Sequence, residues 1–158
     1  MGLVLTEEQE LIAKAPAEFL KEKAPITHLR EMRDSEDPVG FSQALWKEMA
    51  ELGWPGIPFE EDLGGAGLGF AELGVVLQEC GRTLAPYPFL STVALGGGAV
   101  ALAGSEAQKK DILPGLCRGE TFLALAFQET GHFSPWAIQT KAEKTADGFT
   151  LSGEKTFV

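Results

Sequence analysis

Histidine and cysteine, two residue types that often carry catalysis, occur only twice each in this 158-residue chain, and they are not grouped. The two histidines, His28 and His132, have no visible partner, so each is predicted to be a solvated loop residue. Cys80 and Cys117 belong to no CxxC or ligand-like cluster, and the sequence therefore supports neither a metal site nor a disulfide scaffold. The remaining candidate is Glu129, whose carboxylate stands in a polar turn and could serve as a general base or as a loop anchor.

Glu129 lies in a stretch whose pattern differs from everything before it, "LALAFQETGHFSP", residues 123–135. The preceding residues read as helices, whereas "TFLALAFQ", 121–128, is compatible with a buried strand. That strand opens into a polar turn that contains Gly131. We therefore treat the strand and its turn as the candidate functional segment.

Two groups of glycines could also suggest a ligand. Residues 54–69, "WPGIPFEEDLGGAGLG", hold five glycines, but they lack both the strand–GxGxxG–helix frame and the GK[ST] ending of phosphate-binding loops. This segment is predicted to be a packed connector. Gly96–Gly98 lie in an apolar segment and are interpreted as a close helix crossing rather than a ligand site, because glycine otherwise weakens a helix.

Helix signals fill the first 120 residues. Thr6 with Gln9, and Ser105 with Gln108, have the capping-box spacing that starts a helix. The predicted helices are one from residue 6 onward, a short one at 28–34, one ending at Gly53, and others at 70–84, 88–103 and from 105 onward.

Three further expectations concern the helices. Pro16 should kink or split the first helix, and the last should stop near residues 114–115. The segment 88–103 is apolar all round, which indicates a helix enclosed by others. Trp46, Trp54 and Trp136 are predicted to be apolar anchors before cofactor-stacking residues.

From residue 139 onward, the pattern of apolar and polar side chains has the two-residue period of a β-strand. Residues 139–145 and 149–158 alternate apolar and polar side chains and flank "ADG", which predicts a hairpin. The resulting class is α+β, with a helical domain over 1–120 and the first strands of a β-domain over 121–158. Since so small a sheet would leave its edges and apolar face unpaired, we expect the chain to be the front part of a longer protein.

Composition limits the class of partner. The formal charge of −10 argues against nucleic acid or an anionic membrane as the main partner. The longest apolar run, 93–104, is well short of the roughly 20 residues that span a bilayer. No secretory signal is visible at the start, and the cysteine usage fits a reducing cytoplasm.

The order of several motifs resembles the acyl-CoA dehydrogenase family. They are "PFEEDLGGAGLGFAELGVVLQECGRTLAP", then "GSEAQKKDILPGLCRGETFLALAFQE", then "DGFTLSGEKTFV". Single elements of this kind are common, but their order and spacing along nearly the whole chain are specific. The segment "TLAPYPFLST", 83–92, is similar to the bacterial branch that acts on bulky CoA thioesters such as sterol side chains.

The resemblance implies an N-terminal helical domain, the start of a β-barrel-like middle domain, and a C-terminal helical bundle that is absent from this chain. It implies α,β-dehydrogenation of an acyl-CoA, in which a glutamate takes the α-proton and FAD accepts the hydride. Electron-transferring flavoprotein then reoxidises the flavin. The family's catalytic base lies in the C-terminal domain, so no catalytic residue is assigned here, and a dimeric or tetrameric assembly is expected.

The resemblance also implies site residues. The family's turn resembles "LTEPxxGSD", and this chain has "FQETGHFSP", 127–135. Aligned without gaps, Phe127 and Gln128 fall where main-chain and hydroxyl groups meet the flavin, and Leu125 takes the place of an apolar flavin neighbour. Glu129 keeps the motif acid, to which the resemblance gives a structural or loop-anchoring role rather than that of a base, and Ser134 keeps the serine associated with FAD and substrate. Phe157 matches the aromatic residue that packs on the isoalloxazine.

This chain departs from the family's turn at four positions. Gln128 replaces threonine, Thr130 proline, Phe133 glycine and Pro135 aspartate. Phe133 is the harshest change, because a benzyl group fills space that glycine leaves open. Some members of the sterol-type branch pair unlike subunits of which only one has a complete site. The alternative is therefore a non-catalytic or FAD-deficient partner subunit, and an unrelated helical binding module would require the polypeptide to end at Val158.

Overall fold

In the computed structural model, which describes residues 4–158, the chain divides into two compact units, one through Leu123 and one from Ala124 to Val158. The first unit is helical and the second contains a β-hairpin, which confirms the predicted α+β class. The α-helices are α1 (Glu7–Lys23), α2 (Ile26–Asp34), α3 (Gln43–Glu51), α4 (Phe70–Thr83), α5 (Gly98–Ala103) and α6 (Glu106–Cys117). Two 3-10 helices span Trp54–Gly56 and Glu61–Leu63, and a π-helix spans Phe89–Gly97.

The predicted capping boxes form at both sites. The Thr6 hydroxyl accepts a hydrogen bond from the main-chain amide of Gln9 at the start of α1. The Ser105 hydroxyl accepts one from the main-chain amide of Gln108 at the start of α6. Neither internal proline interrupts its helix. α1 continues through Pro16, so the helix is not split there, and α6 ends at Cys117, three residues beyond Pro114. α1 buries Pro16 and Leu20, and α6 buries Leu113 and Leu116, so packing outweighs the missing amide donors.

The core of the helical unit is apolar and continuous. α3 ends at Glu51, and Gly53, which follows its C-cap Leu52, has a φ of +80°, the left-handed geometry that favours glycine. The connector after it buries large side chains and is tightly turned, as predicted for a packed segment. The most buried large side chains include Leu20, Met49, Leu73, Val76, Phe89, Val93, Leu113 and Leu116.

The segment 89–103 is helical without a break, as predicted, because the π-helix Phe89–Gly97 continues directly into α5. The π-helix buries Phe89 and Val93, whereas Leu90 is 61 % exposed and Leu102, in α5, is 86 % exposed. Among residues 4–158, neighbouring elements therefore cover one side of this segment. The glycines do mark close packing, since a Cβ on Gly96 would lie 2.4 Å from the Leu123 Cβ.

The second unit contains an antiparallel hairpin of β1 (Lys141–Lys144) and β2 (Phe149–Ser152). Lys144 pairs with Phe149, and the Thr145 amide donates to the Gly148 carbonyl at 2.9 Å, so "ADG" lies in the predicted turn. The third predicted strand, 121–128, is not formed among residues 4–158, because no described strand lies beside it. Trp136 is 93 % exposed and is not an anchor.

None of the helices in residues 4–158 combines the length and the apolar character needed to cross a bilayer.

Candidate flavin site

The extended segment after the helical unit begins at a fixed point. The hydroxyl of Thr92, a buried polar residue, donates to the Leu123 carbonyl at 3.1 Å and accepts the Leu123 amide at 3.3 Å. Gly96 lets Leu123 approach the π-helix closely. The amide and the carbonyl of Leu123 therefore both have a hydrogen-bond partner in the Thr92 side chain.

The four residues that follow are extended but unpaired. The main-chain groups of Ala124–Phe127 form no hydrogen bond with any residue from 4 to 158. Leu125 is 37 % exposed and Phe127 is 36 % exposed, so each presents part of an apolar side chain. The segment thus offers free amide donors, free carbonyl acceptors and apolar surface together.

The bend at Gln128 is closed by hydrogen bonds from the end of the chain. The Gln128 carbonyl accepts the Thr156 amide at 2.8 Å, and the Thr156 hydroxyl lies 3.4 Å from the same oxygen. The Gln128 side-chain amide donates to the Thr130 carbonyl at 2.8 Å, which leaves its own oxygen as an acceptor. Gln128 and Phe157, which follows Thr156, are in this way brought into one neighbourhood.

Glu129 is the most extensively hydrogen-bonded side chain of this bend. Its Oε1 accepts Lys155 Nζ at 2.7 Å, the Thr140 hydroxyl at 2.5 Å and the Thr140 amide at 3.1 Å. Its Oε2 accepts the Gln139 amide at 2.5 Å. Hydrogen bonds from Lys155, then from Thr140 and the Gln139 amide, lower the pKa of the Glu129 carboxyl to about 2.

A carboxylate held in this way is a poor proton acceptor, and its arrangement is that of a loop anchor. Glu129 also lines a cleft of 470 Å³ beside the hairpin, together with Thr130, Ala137, Gln139, Thr140, Ser152, Gly153 and Glu154.

The two remaining predicted site residues lie at the surface of this unit. Phe157 is 79 % exposed and has a φ of +56°, an uncommon left-handed geometry for a residue with a side chain. The Ser134 hydroxyl is exposed and makes no hydrogen bond with residues 4–158, while its carbonyl accepts the Ala137 amide. Phe133 meets the Phe127 ring edge to face, with centroids 6.3 Å apart, and is itself 76 % exposed. The Phe133 ring therefore covers one edge of Phe127 and leaves the rest of that side chain partly exposed.

The residues set aside as catalysts behave as structural groups. His28 lies in α2 rather than in a loop, and its Nε2 is 3.3 Å from the hydroxyl of Tyr87, a buried residue whose pKa is raised by desolvation. His132 is exposed. Burial raises the pKa of both Cys80 and Cys117 to about 11, which keeps these thiols protonated and unreactive at neutral pH.

Comparison with known proteins identifies the family of this chain. The profile of the acyl-CoA dehydrogenase N-terminal domain matches residues 6–120. The chain belongs to the acyl-CoA dehydrogenase family. The resemblance seen in the motifs is therefore confirmed.

Relatives and solved structures of the acyl-CoA dehydrogenase family extend the match through the second unit. Mitochondrial isobutyryl-CoA dehydrogenase of Dictyostelium discoideum is 30 % identical over 98 % of this chain and 36 % of its own length. The structure of a steroid acyl-CoA dehydrogenase variant, Tcur3481-Tcur3483 G363A, is 33 % identical, with a TM-score of 0.82 over 95 % of this chain and 40 % of that one. The acyl-CoA dehydrogenase of Bacillus anthracis complexed with FAD is 29 % identical, with a TM-score of 0.80 over 96 % of this chain and 26 % of that one.

The chain spans about two-fifths of the length of the first curated relatives that it matches, with shares from 36 % to 41 %. The activity, substrate and partners of a whole acyl-CoA dehydrogenase are therefore matters of proposal for this protein.

The residues at the bend fit an isoalloxazine, which is a flat apolar ring with a polar edge. Free amides and carbonyls at 124–127 suit the polar edge, and the exposed Phe157 ring suits the flat face. Gln128 differs from the family's threonine but keeps a free acceptor, so its longer side chain does not remove the capacity to hydrogen-bond the ring.

Three residues that organise the bend were not singled out by the sequence. Thr92, Thr140 and Thr156 each supply a hydroxyl to a partner at least 11 positions away. Lys155 lies within "DGFTLSGEKTFV", but nothing in that pattern indicates its pairing with Glu129, 26 positions away. No local pattern signals such contacts, because they depend on how the chain turns back on itself.

Proposed function

We propose that the full-length polypeptide containing this chain is an FAD-dependent acyl-CoA dehydrogenase of the cytoplasm. The observation that carries the proposal is the bend at Gln128, where free main-chain groups, exposed apolar side chains and Phe157 lie close together in a chain of this family. The reaction is removal of hydrogen from Cα and Cβ of an acyl-CoA thioester. Bound FAD supplies the hydride acceptor.

Each predicted residue has a distinct role in this proposal. Leu125 and Phe127 place apolar side chains against the ring, and their main-chain groups hydrogen-bond its edge. Gln128 supplies an amide oxygen to the same edge, and Phe157 packs on the flat face. Ser134 offers its unpaired hydroxyl to FAD and to the thioester. The base that removes the α-proton is not assigned within residues 1–158.

The acyl group and the partners follow from the same proposal at a coarser level. The likeness to a steroid acyl-CoA dehydrogenase supports a bulky CoA thioester as substrate. Electron-transferring flavoprotein is proposed as the oxidant of the reduced flavin, and a dimer or tetramer of like or unlike subunits as the assembly.

Flavin content and flavin reduction test the proposal. The purified full-length protein is expected to carry FAD, with its visible absorption band bleached when a sterol-type or branched acyl-CoA is added without an electron acceptor. Phe157→Ala should weaken FAD binding. Phe149→Ala is the matched control, because Phe149 is also an exposed phenylalanine of the second unit, on the hairpin at 70 % exposure. A protein that binds no FAD alone or with added FAD would favour the partner-subunit alternative.

A further inference from the structure

The Glu129 carboxylate joins three parts of the second unit that are far apart in sequence. It belongs to the bend, whereas Gln139 and Thr140 precede β1 and Lys155 follows β2. Its side chain is 8 % exposed and that of Lys155 is 23 % exposed, so this ion pair is shielded from solvent. Pairs shielded in this way are screened less than exposed ones.

The proposed flavin residues flank this cluster along the chain. Gln128 immediately precedes Glu129, and Phe157 lies two residues after Lys155. The Thr156 amide donates a hydrogen bond to the Gln128 carbonyl. Because these residues adjoin Lys155 and Glu129, this hydrogen bond is a second connection between the same two chain segments. Two adjacent links between the same two chain segments restrain both their separation and their register.

We propose that Glu129 is a positioning residue of the flavin site, which holds Gln128 and Phe157 at the spacing that an isoalloxazine requires. The inference rests on the proposed function. It assigns Glu129 neither a proton transfer nor a contact with the flavin.

The chemistry of this arrangement requires a carboxylate. All four partners are donors, and they approach both oxygens, so the side chain must accept at both ends. An ionised carboxylate is an acceptor at each oxygen, whereas an amide replaces one oxygen with a donor. In Glu129→Gln, an N–H group would therefore face either the Gln139 amide or the Lys155 and Thr140 donors. The low pKa of Glu129 supports the same conclusion, because it keeps the group ionised at neutral pH.

The test uses the full-length protein and three variants. Glu129→Gln removes one acceptor and the charge, and Lys155→Met removes one donor while keeping an apolar stem. Glu143→Gln is the matched control, because Glu143 is an exposed β1 residue whose side chain makes no hydrogen bond or ion pair with residues 4–158. The readouts are the FAD dissociation constant, the visible circular dichroism of bound flavin, and thermal unfolding followed by far-ultraviolet circular dichroism.

The expected result separates positioning from general stability. Glu129→Gln and Lys155→Met should weaken FAD binding about tenfold or more and alter the flavin dichroism, since charge-assisted hydrogen bonds of this kind are among the strong ones. Glu143→Gln should match the wild type in both. After FAD has been removed, the far-ultraviolet transition should move little, because α1–α6 lie in the other unit.

The measurements distinguish a failure of the positioning role of Glu129 from a failure of the proposed function. Wild-type FAD affinity and dichroism in the Glu129 and Lys155 variants would overturn the inference and leave the proposed function intact. A wild-type protein without FAD would overturn the function itself. If Glu129→Gln does not fold, Lys155→Met decides the matter, because that variant keeps the three remaining donors to the carboxylate.

Discussion

Gly65 offers a direct test of the view that the glycine-rich connector is tightly packed. A Cβ placed on Gly65 would lie 2.1 Å from the Phe59 carbonyl oxygen and 2.8 Å from the Gly56 carbonyl oxygen. Both obstacles are main-chain atoms, so no side-chain rotation can relieve the contact. The connector must move if Gly65→Ala is to fold.

The same two oxygens carry the turn's hydrogen bonds, and this sets the magnitude. The Gly67 amide donates to the Phe59 oxygen at 2.7 Å, and the Ala66 amide donates to the Gly56 oxygen at 3.0 Å. Overpacking costs about 1–3 kcal/mol and each weakened hydrogen bond about 1 kcal/mol. We therefore expect Gly65→Ala to lower the free energy of unfolding by about 3–5 kcal/mol.

Gly74→Ala is the matched control for the added methyl group. Gly74 is an exposed residue inside α4, and a Cβ there would meet no atom within 4 Å. The substitution should raise the free energy of unfolding by about 0.5–1 kcal/mol, because alanine loses less backbone entropy in a helix.

Urea unfolding followed by tryptophan fluorescence measures both effects. Trp46 is 2 % exposed and Trp54 is 6 % exposed, so both report on the helical core, whereas the exposed Trp136 changes little. Equal unfolding midpoints for Gly65→Ala and Gly74→Ala would refute the reasoning, since the same methyl group is expected to act with opposite signs at the two positions.

Three further predictions follow from buried or paired groups. Thr92→Val should lower the free energy of unfolding by about 1–3 kcal/mol in urea titrations, because the Leu123 amide and carbonyl lose their partner, while Thr92→Ser keeps the hydroxyl and should lose less. Cys80 and Cys117 should resist thiol reagents until the protein unfolds. Their stabilising contribution should be complete below pH 9.0 and decline as the pH rises toward 11, since the unfolded thiols ionise first; labelling of native protein at neutral pH would contradict this. Glu129 should stabilise its bend fully above pH 4.5 and progressively less as the pH falls toward 2, because its pKa is lowered in the folded state; a carboxyl titration at 4.5 by nuclear magnetic resonance would contradict this.

Local signals in the sequence predicted most of the elements. The two capping boxes, the glycine after α3 and the "ADG" turn each lie where predicted, because their geometry depends on residues within four positions of one another. The expectations that failed depend on more distant partners. Pro114 did not end its helix because burial of the following turn outweighs a missing donor, and 121–128 lacks the neighbour that would make it a strand.

The sequence by itself determined the family, the class of fold and the location of the candidate bend, since these follow from the order and spacing of residues along the chain. The family resemblance already favoured an anchoring role for Glu129, but only the tertiary structure supplied the partners that it anchors. A carboxylate in a polar turn can act as a base or as an anchor, and the choice depends on its environment. Lys155, Thr140 and Gln139 reach Glu129 only after the chain has turned back on itself, and their four hydrogen bonds make it an anchor.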